Sequence, residues 1–103
     1  MVRYNPNKLP YPKQEQLLDV FCETVCKLRT KAAIRNFLKD LLNRQERLML
    51  IRRLLIAELL LEGKTYREIQ DQLRVGPATV ARIDRWLHFG RNGYKQAIRV
   101  KNK

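Results

Sequence analysis

The side chains best suited to chemistry in this sequence are cations, a hydroxyl and small groups gathered towards its C-terminal end. Ala78, Thr79, Arg82 and Arg85 recur at helical spacing, and Arg91 and Lys95 follow closely. A guanidinium presents paired donors that match a phosphate or the major-groove edge of guanine, and a small side chain accommodates a thymine methyl. Twenty-two Lys and Arg against ten Asp and Glu give a net charge of +12 and a pI near 10.3. A balance this basic calls for a polyanionic partner; a merely solvated basic face is the plainer alternative. Catalysis finds no support. The one histidine, His88, has no paired Ser, Cys or carboxylate at useful spacing, and no Gly-rich phosphate loop is present. The carboxylates are scattered singly, mostly four residues from a Lys or Arg, as helix-surface pairs are. Cys22 and Cys26 lie one helical turn apart, but no second Cys or His pair completes a metal site. Two reduced, mostly buried thiols in a cytoplasmic protein are the expectation.

The basic and hydroxyl side chains need an element to carry them, and Thr65 to Leu87 supplies it. Thr65 and Glu68 form a capping box that opens a short helix with Ile69 and Leu73 on one face. Val75-Gly76-Pro77 makes a turn, with Pro77 suited to the first position of the next helix. Val80, Ile83 and Leu87 then face inward, which leaves Ala78, Thr79, Arg82 and Arg85 pointing out. Two short helices with such an outer face have the pattern of a helix-turn-helix DNA reader.

The remaining chain must hold that unit. At 103 residues it is one domain at most, with a modest core. Residues 1–12 carry three of the four prolines and predict an extended arm. A single helical domain is expected over 13–103. Its first helix runs from Lys13 to about Arg29 with Leu17, Val20, Phe21, Val25 and Leu28 on one side. Thr30 is placed to cap a second helix, and Asn43 to end that helix or cap the next. The third, about Arg44 to Glu62, is apolar nearly all round, from Leu48 through Leu61, and Gly63 stops it. Each Leu left exposed forfeits roughly 1.5–3 kcal/mol of burial. A chain this small has little mass to cover such a helix, so an intertwined homodimer built on helices within 13–62 is expected. The helix-turn-helix occupies 65–89, and a last helix about 94–100. From Arg82 onward seven basic residues, the last three being Arg99, Lys101 and Lys103, face a single acid, Asp84. No run approaches the roughly 18 apolar residues of a membrane span, and MVRYNPNKLPYPK lacks the apolar stretch of a secretory signal.

LEGKTYREI at 61–69, ATVAR at 78–82 and RWLHFGRNGY at 85–94 resemble the Trp repressor superfamily, its YerC/YecD-like branch most closely. The likeness covers roughly residues 31–98. It implies an all-α fold of about six helices, an interlocked dimer, and two reading heads that enter successive major grooves. Carried over residue by residue, Arg67 and Gln70 match positions that face DNA. Gly76, Pro77, Ala78 and Thr79 match the start of the reading helix. Arg53 and Arg82 match the arginines that sandwich an indole ring in tryptophan-sensing members. Ile83 and Trp86 stand where those members place glycine and serine, which argues against tryptophan as corepressor, and no cofactor is expected. Three roles are open for Trp86: packing against Phe89, which is preferred, lining a partner groove, or stacking on a nucleic-acid base. Arg74 stands where the turn usually has a glycine at positive φ, so the turn is expected to adjust.

Two functions follow. The first is a dimeric, sequence-specific double-stranded-DNA-binding regulator, probing base edges with Ala78, Thr79, Arg82 and Arg85 and phosphates with Arg67, Arg91, Lys95 and Arg99. The second is a non-specific nucleic-acid-binding or protein-interaction module with the same basic helical fold.

Overall fold

Six α-helices make up the regular structure of residues 9–98, the part of the chain that the computed structural model describes. The described residues contain no strand, and no helix among them is long and apolar enough to cross a membrane. They divide into two compact units, one up to Leu41 and one from Leu42.

In the first unit, α1 spans Tyr11–Cys26. It begins two residues before the expected Lys13, because Pro12 falls in the first turn, where a missing N–H leaves nothing unpaired. Residues 1–8 of the expected arm lie outside the described residues. Pro10 caps the start with extended backbone, and Gln14 Nε2 donates to the Leu9 carbonyl at 2.7 Å. The helix closes at Cys26, three residues earlier than the spacing suggests. α2 spans Lys31–Leu41, and Thr30 caps it by accepting the Ala33 N–H at 3.0 Å. Phe21 and Phe37 bring their rings to 6.3 Å, tilted by 35°. Neither helix buries a residue fully: Leu17, Leu18, Val20, Phe21, Ile34, Leu38 and Leu41 all remain exposed. Cys22 and Cys26 are exposed as well, against the expectation of buried thiols, because the side of α1 that carries them is open in the single chain.

The second unit is built on α3, Arg44–Leu61. Asn43 caps it rather than ending α2: its Oδ1 accepts the Glu46 N–H, and Glu46 Oε1 accepts the Asn43 N–H, both at 2.9 Å. The other end is a Schellman motif, with Lys64 N–H bonded to the Leu59 carbonyl and Gly63 N–H to that of Leu60. Gly63 takes the φ of +90° that this motif requires. α4 (Tyr66–Leu73), α5 (Pro77–Phe89) and α6 (Gly93–Ile98) follow. The last begins one residue ahead of the expected Tyr94, and residues 99 and 100 of the expected helix lie outside the described residues.

The core of this unit joins Ile56 and Ala57 of α3, Ile69 of α4, and Val80, Ile83 and Leu87 of α5. Leu59, Leu60, Leu73, Val75, Tyr94 and Ile98 pack around it. Only the C-terminal half of α3 reaches this core. Leu48, Met49, Leu50, Ile51, Leu54 and Leu55 stay exposed along the rest.

Candidate nucleic-acid interface

Local hydrogen bonds fix where α4 and α5 begin. Thr65 Oγ1 accepts the Glu68 N–H at 3.1 Å, and Glu68 Oε1 accepts the Thr65 N–H at 2.8 Å. The Thr65 backbone N–H, more than the Thr65 hydroxyl, holds the Glu68 carboxyl below its ordinary pKa. Arg74 ends α4 at φ 58° and ψ 49°, donating its N–H to the Gln70 carbonyl at 2.8 Å. The turn therefore does not adjust to the missing glycine: an arginine adopts the left-handed conformation that the turn demands. Gly76 caps α5 in extended backbone and offers no side-chain cap, and Pro77 occupies the first turn. A Cβ on Gly76 would meet nothing within 4 Å. The chain's own packing therefore does not require glycine there, and the first amides of α5 stay open to a partner.

Burial of Val80, Ile83 and Leu87 sets the rotation of α5. The opposite side carries Ala78, Arg82, Arg85 and Phe89, all exposed. Thr79, expected to point outward with them, is half-buried. Arg67 is exposed on α4, its Nε 4.0 Å from Asp71 Oδ2, and Gln70 is half-buried. Pro77, Arg91 and Lys95 are exposed, whereas Arg99, Lys101 and Lys103 lie outside the described residues. Among the described residues, neither Arg82 nor Arg85 has a carboxylate partner.

Two arrangements escape a reading of the sequence. The first is a polar network around Asp84. Tyr66 Oη donates to Asp84 Oδ2 at 2.7 Å, and His88 Nδ1 lies 3.3 Å from Asp84 Oδ1 and 2.9 Å from the Asp84 carbonyl oxygen. His88 thus does have a carboxylate at useful spacing, one turn earlier, which corrects the sequence-based expectation. The chain contains no serine that could complete a triad with that pair. Donation to Asp84 is the main cause that raises the Tyr66 phenol above its ordinary pKa, with partial desolvation and the Asp84 charge adding to it.

The second is an open groove of about 620 Å³ between α3, α5 and α6. Arg53, Arg82 and Arg91 line it together with Ile83, Trp86 and Tyr94. Arg53 and Arg82 are thus brought together as the resemblance implies. Trp86 forms a wall of the groove, and Phe89 is 82% exposed with its ring 6.3 Å from that of His88. Gly90 passes tightly over the indole. A Cβ at Gly90 would lie 2.5 Å from the Trp86 carbonyl oxygen and 3.3 Å from ring atom Cε3.

A family model described as Trp repressor protein matches residues 16–102. The uncharacterized protein YerC of Bacillus subtilis is 33% identical over 85 residues, spanning 82% of each chain. The crystal structure of a TrpR-like protein from Eubacterium eligens superposes with a TM-score of 0.76 at 26% identity, covering 82% of this chain and 88% of that one.

Proposed function

Because this chain belongs to the Trp repressor family, we propose that it is a dimeric regulator of transcription that reads double-stranded DNA through α5. The observation that carries this is the orientation of α5. Its apolar side is locked into the core, and its other side presents Ala78, Arg82 and Arg85, the arginines without a carboxylate partner among the described residues. Bare backbone at Gly76 admits a duplex closely, and Arg67, Arg91 and Lys95 supply phosphate contacts. Arg74 in the left-handed region keeps the turn that a reading head needs.

The apolar faces left open on α1, α2 and α3 support a second chain that covers them. Two heads in one dimer place half-sites about one helical turn, roughly 34 Å, apart.

Binding to a preferred and a random duplex over a range of salt tests the reading. Arg85→Ala should cost about 1–3 kcal/mol on the preferred duplex and relax its sequence. Lys95→Ala should weaken both duplexes alike and lower the salt slope by about one. Equal losses on both duplexes from Arg85→Ala would refute base reading by α5. Added L-tryptophan should change neither affinity, because the groove wall beside Arg53 and Arg82 carries Ile83 and Trp86 in place of the glycine and serine of tryptophan-sensing members.

A further inference from the structure

A reading helix presents its arginines in a useful direction only if its angle to the rest of the head is fixed. At one end the turn through Arg74 and Gly76 joins α4 to α5. Between the helices, Ile69 and Val80 are buried in the apolar core with Leu73 packed against it, contacts that hold the helices together without a directional bond. Tyr66 is the first residue of α4, seven before Leu73, and Asp84 is seven after Pro77 at the start of α5. At 1.5 Å per residue each lies about 10 Å along its helix from the turn. The Tyr66–Asp84 hydrogen bond of 2.7 Å therefore closes a triangle whose apex is the turn and whose two arms are nearly equal. His88 Nδ1 sits 2.9 Å from the Asp84 backbone carbonyl oxygen and 3.3 Å from Oδ1, within α5. The Asp84 carboxylate is thus taken up by Tyr66 on one oxygen, and Arg82 and Arg85 are left unpaired among the described residues.

We propose that Asp84 is a positioning residue for sequence reading: by holding Tyr66 it fixes the angle between α4 and α5, and with it the direction in which Arg82 and Arg85 meet a duplex. This rests on the sequence-reading role proposed above. Its signature is a loss of discrimination rather than of affinity.

The test uses the full chain and the duplex that the wild type enriches from a random pool, compared with random duplex at one salt concentration. Tyr66→Phe, which removes a single oxygen atom, and Asp84→Ala should each lower the preferred-to-random ratio about tenfold, the size of one hydrogen bond to a charged group. The double variant should be no worse than either single one. Asp84→Asn keeps an oxygen that accepts from the phenol and should retain a ratio near that of the wild type. In Asp84→Ala the Tyr66 phenol should also ionise at lower pH than in the wild type, read as the alkaline ultraviolet difference from the matching Tyr66→Phe variant. A ratio untouched by Tyr66→Phe, or Asp84→Asn as damaging as Asp84→Ala, overturns the positioning role and leaves sequence reading intact. Failure of the wild type to enrich any duplex overturns the underlying function instead, and with it this role.

Discussion

Arg74 carries a conformational cost that its neighbours impose. At φ 58° and ψ 49° its Cβ crowds the following carbonyl, and only glycine, with Asn or Asp to a lesser degree, visits this region freely. Asn92, at φ 68°, is the other non-glycine residue in the left-handed region among those described, and its side chain suits the role better. Arg74→Gly should stabilise the fold by about 1 kcal/mol, less whatever freedom glycine adds to the unfolded chain. Thermal melts at matched protein concentration measure it, since melting of an oligomer depends on concentration. An unchanged or lowered melting temperature would show that the arginine side chain makes a compensating contribution. Gly90 is the opposite case. Its φ of −87° is open to any residue, but the Trp86 carbonyl leaves no room for a Cβ.

At the level of elements, what the sequence makes legible is what is local. The Thr65/Glu68 box, the Thr30 cap and the Gly63 stop each involve residues within a turn or so, and all three appear where spacing alone puts them. The apolar side of α5 reads correctly for the same reason: Val80, Ile83 and Leu87 lie on one helix. What depends on the angle between helices does not read. Tyr66 and Asp84 are 18 residues apart, and nothing in their types pairs them until α4 is laid against α5. That Trp86 lines a groove depends likewise on how α3, α5 and α6 pack. Thr79, by contrast, is legible: four residues before Ile83, it lies at the flank of the buried stripe and is half-buried there. The capping box of α4 also sets a pH dependence. The Glu68 pKa is depressed in the folded chain, so its contribution to stability is present above the unfolded carboxylate pKa and is lost as pH falls through the folded value. Urea unfolding should show Glu68→Ala less stable than the wild type at neutral pH, with the gap narrowing as the solution is acidified through the carboxylate range. A gap independent of pH would mean that the charged carboxylate contributes nothing at this cap.

At the scale of the whole molecule, the balance between buried and open apolar surface governs behaviour. Six residues form the buried apolar core among those described, whereas eighteen large hydrophobic side chains are exposed, seven of them on α3. The proposed dimer would cover this apolar surface. Sedimentation at micromolar concentration should give two chains per particle. Ile51→Glu, placed on the open part of α3, should abolish the dimer and with it most of the stability; a folded, stable wild-type monomer would contradict the dimer, and an Ile51→Glu chain that still pairs would contradict its placement on α3. The central claim is that two such heads, held at a fixed distance, read a duplex. Its most direct test is selection of bound sequences from a random duplex pool by the full chain at near-physiological salt. The expected result is enrichment of a palindromic motif with half-sites about one helical turn apart. Recovery of the pool without enrichment, under steeply salt-dependent binding, would contradict it and identify a non-specific polyanion binder.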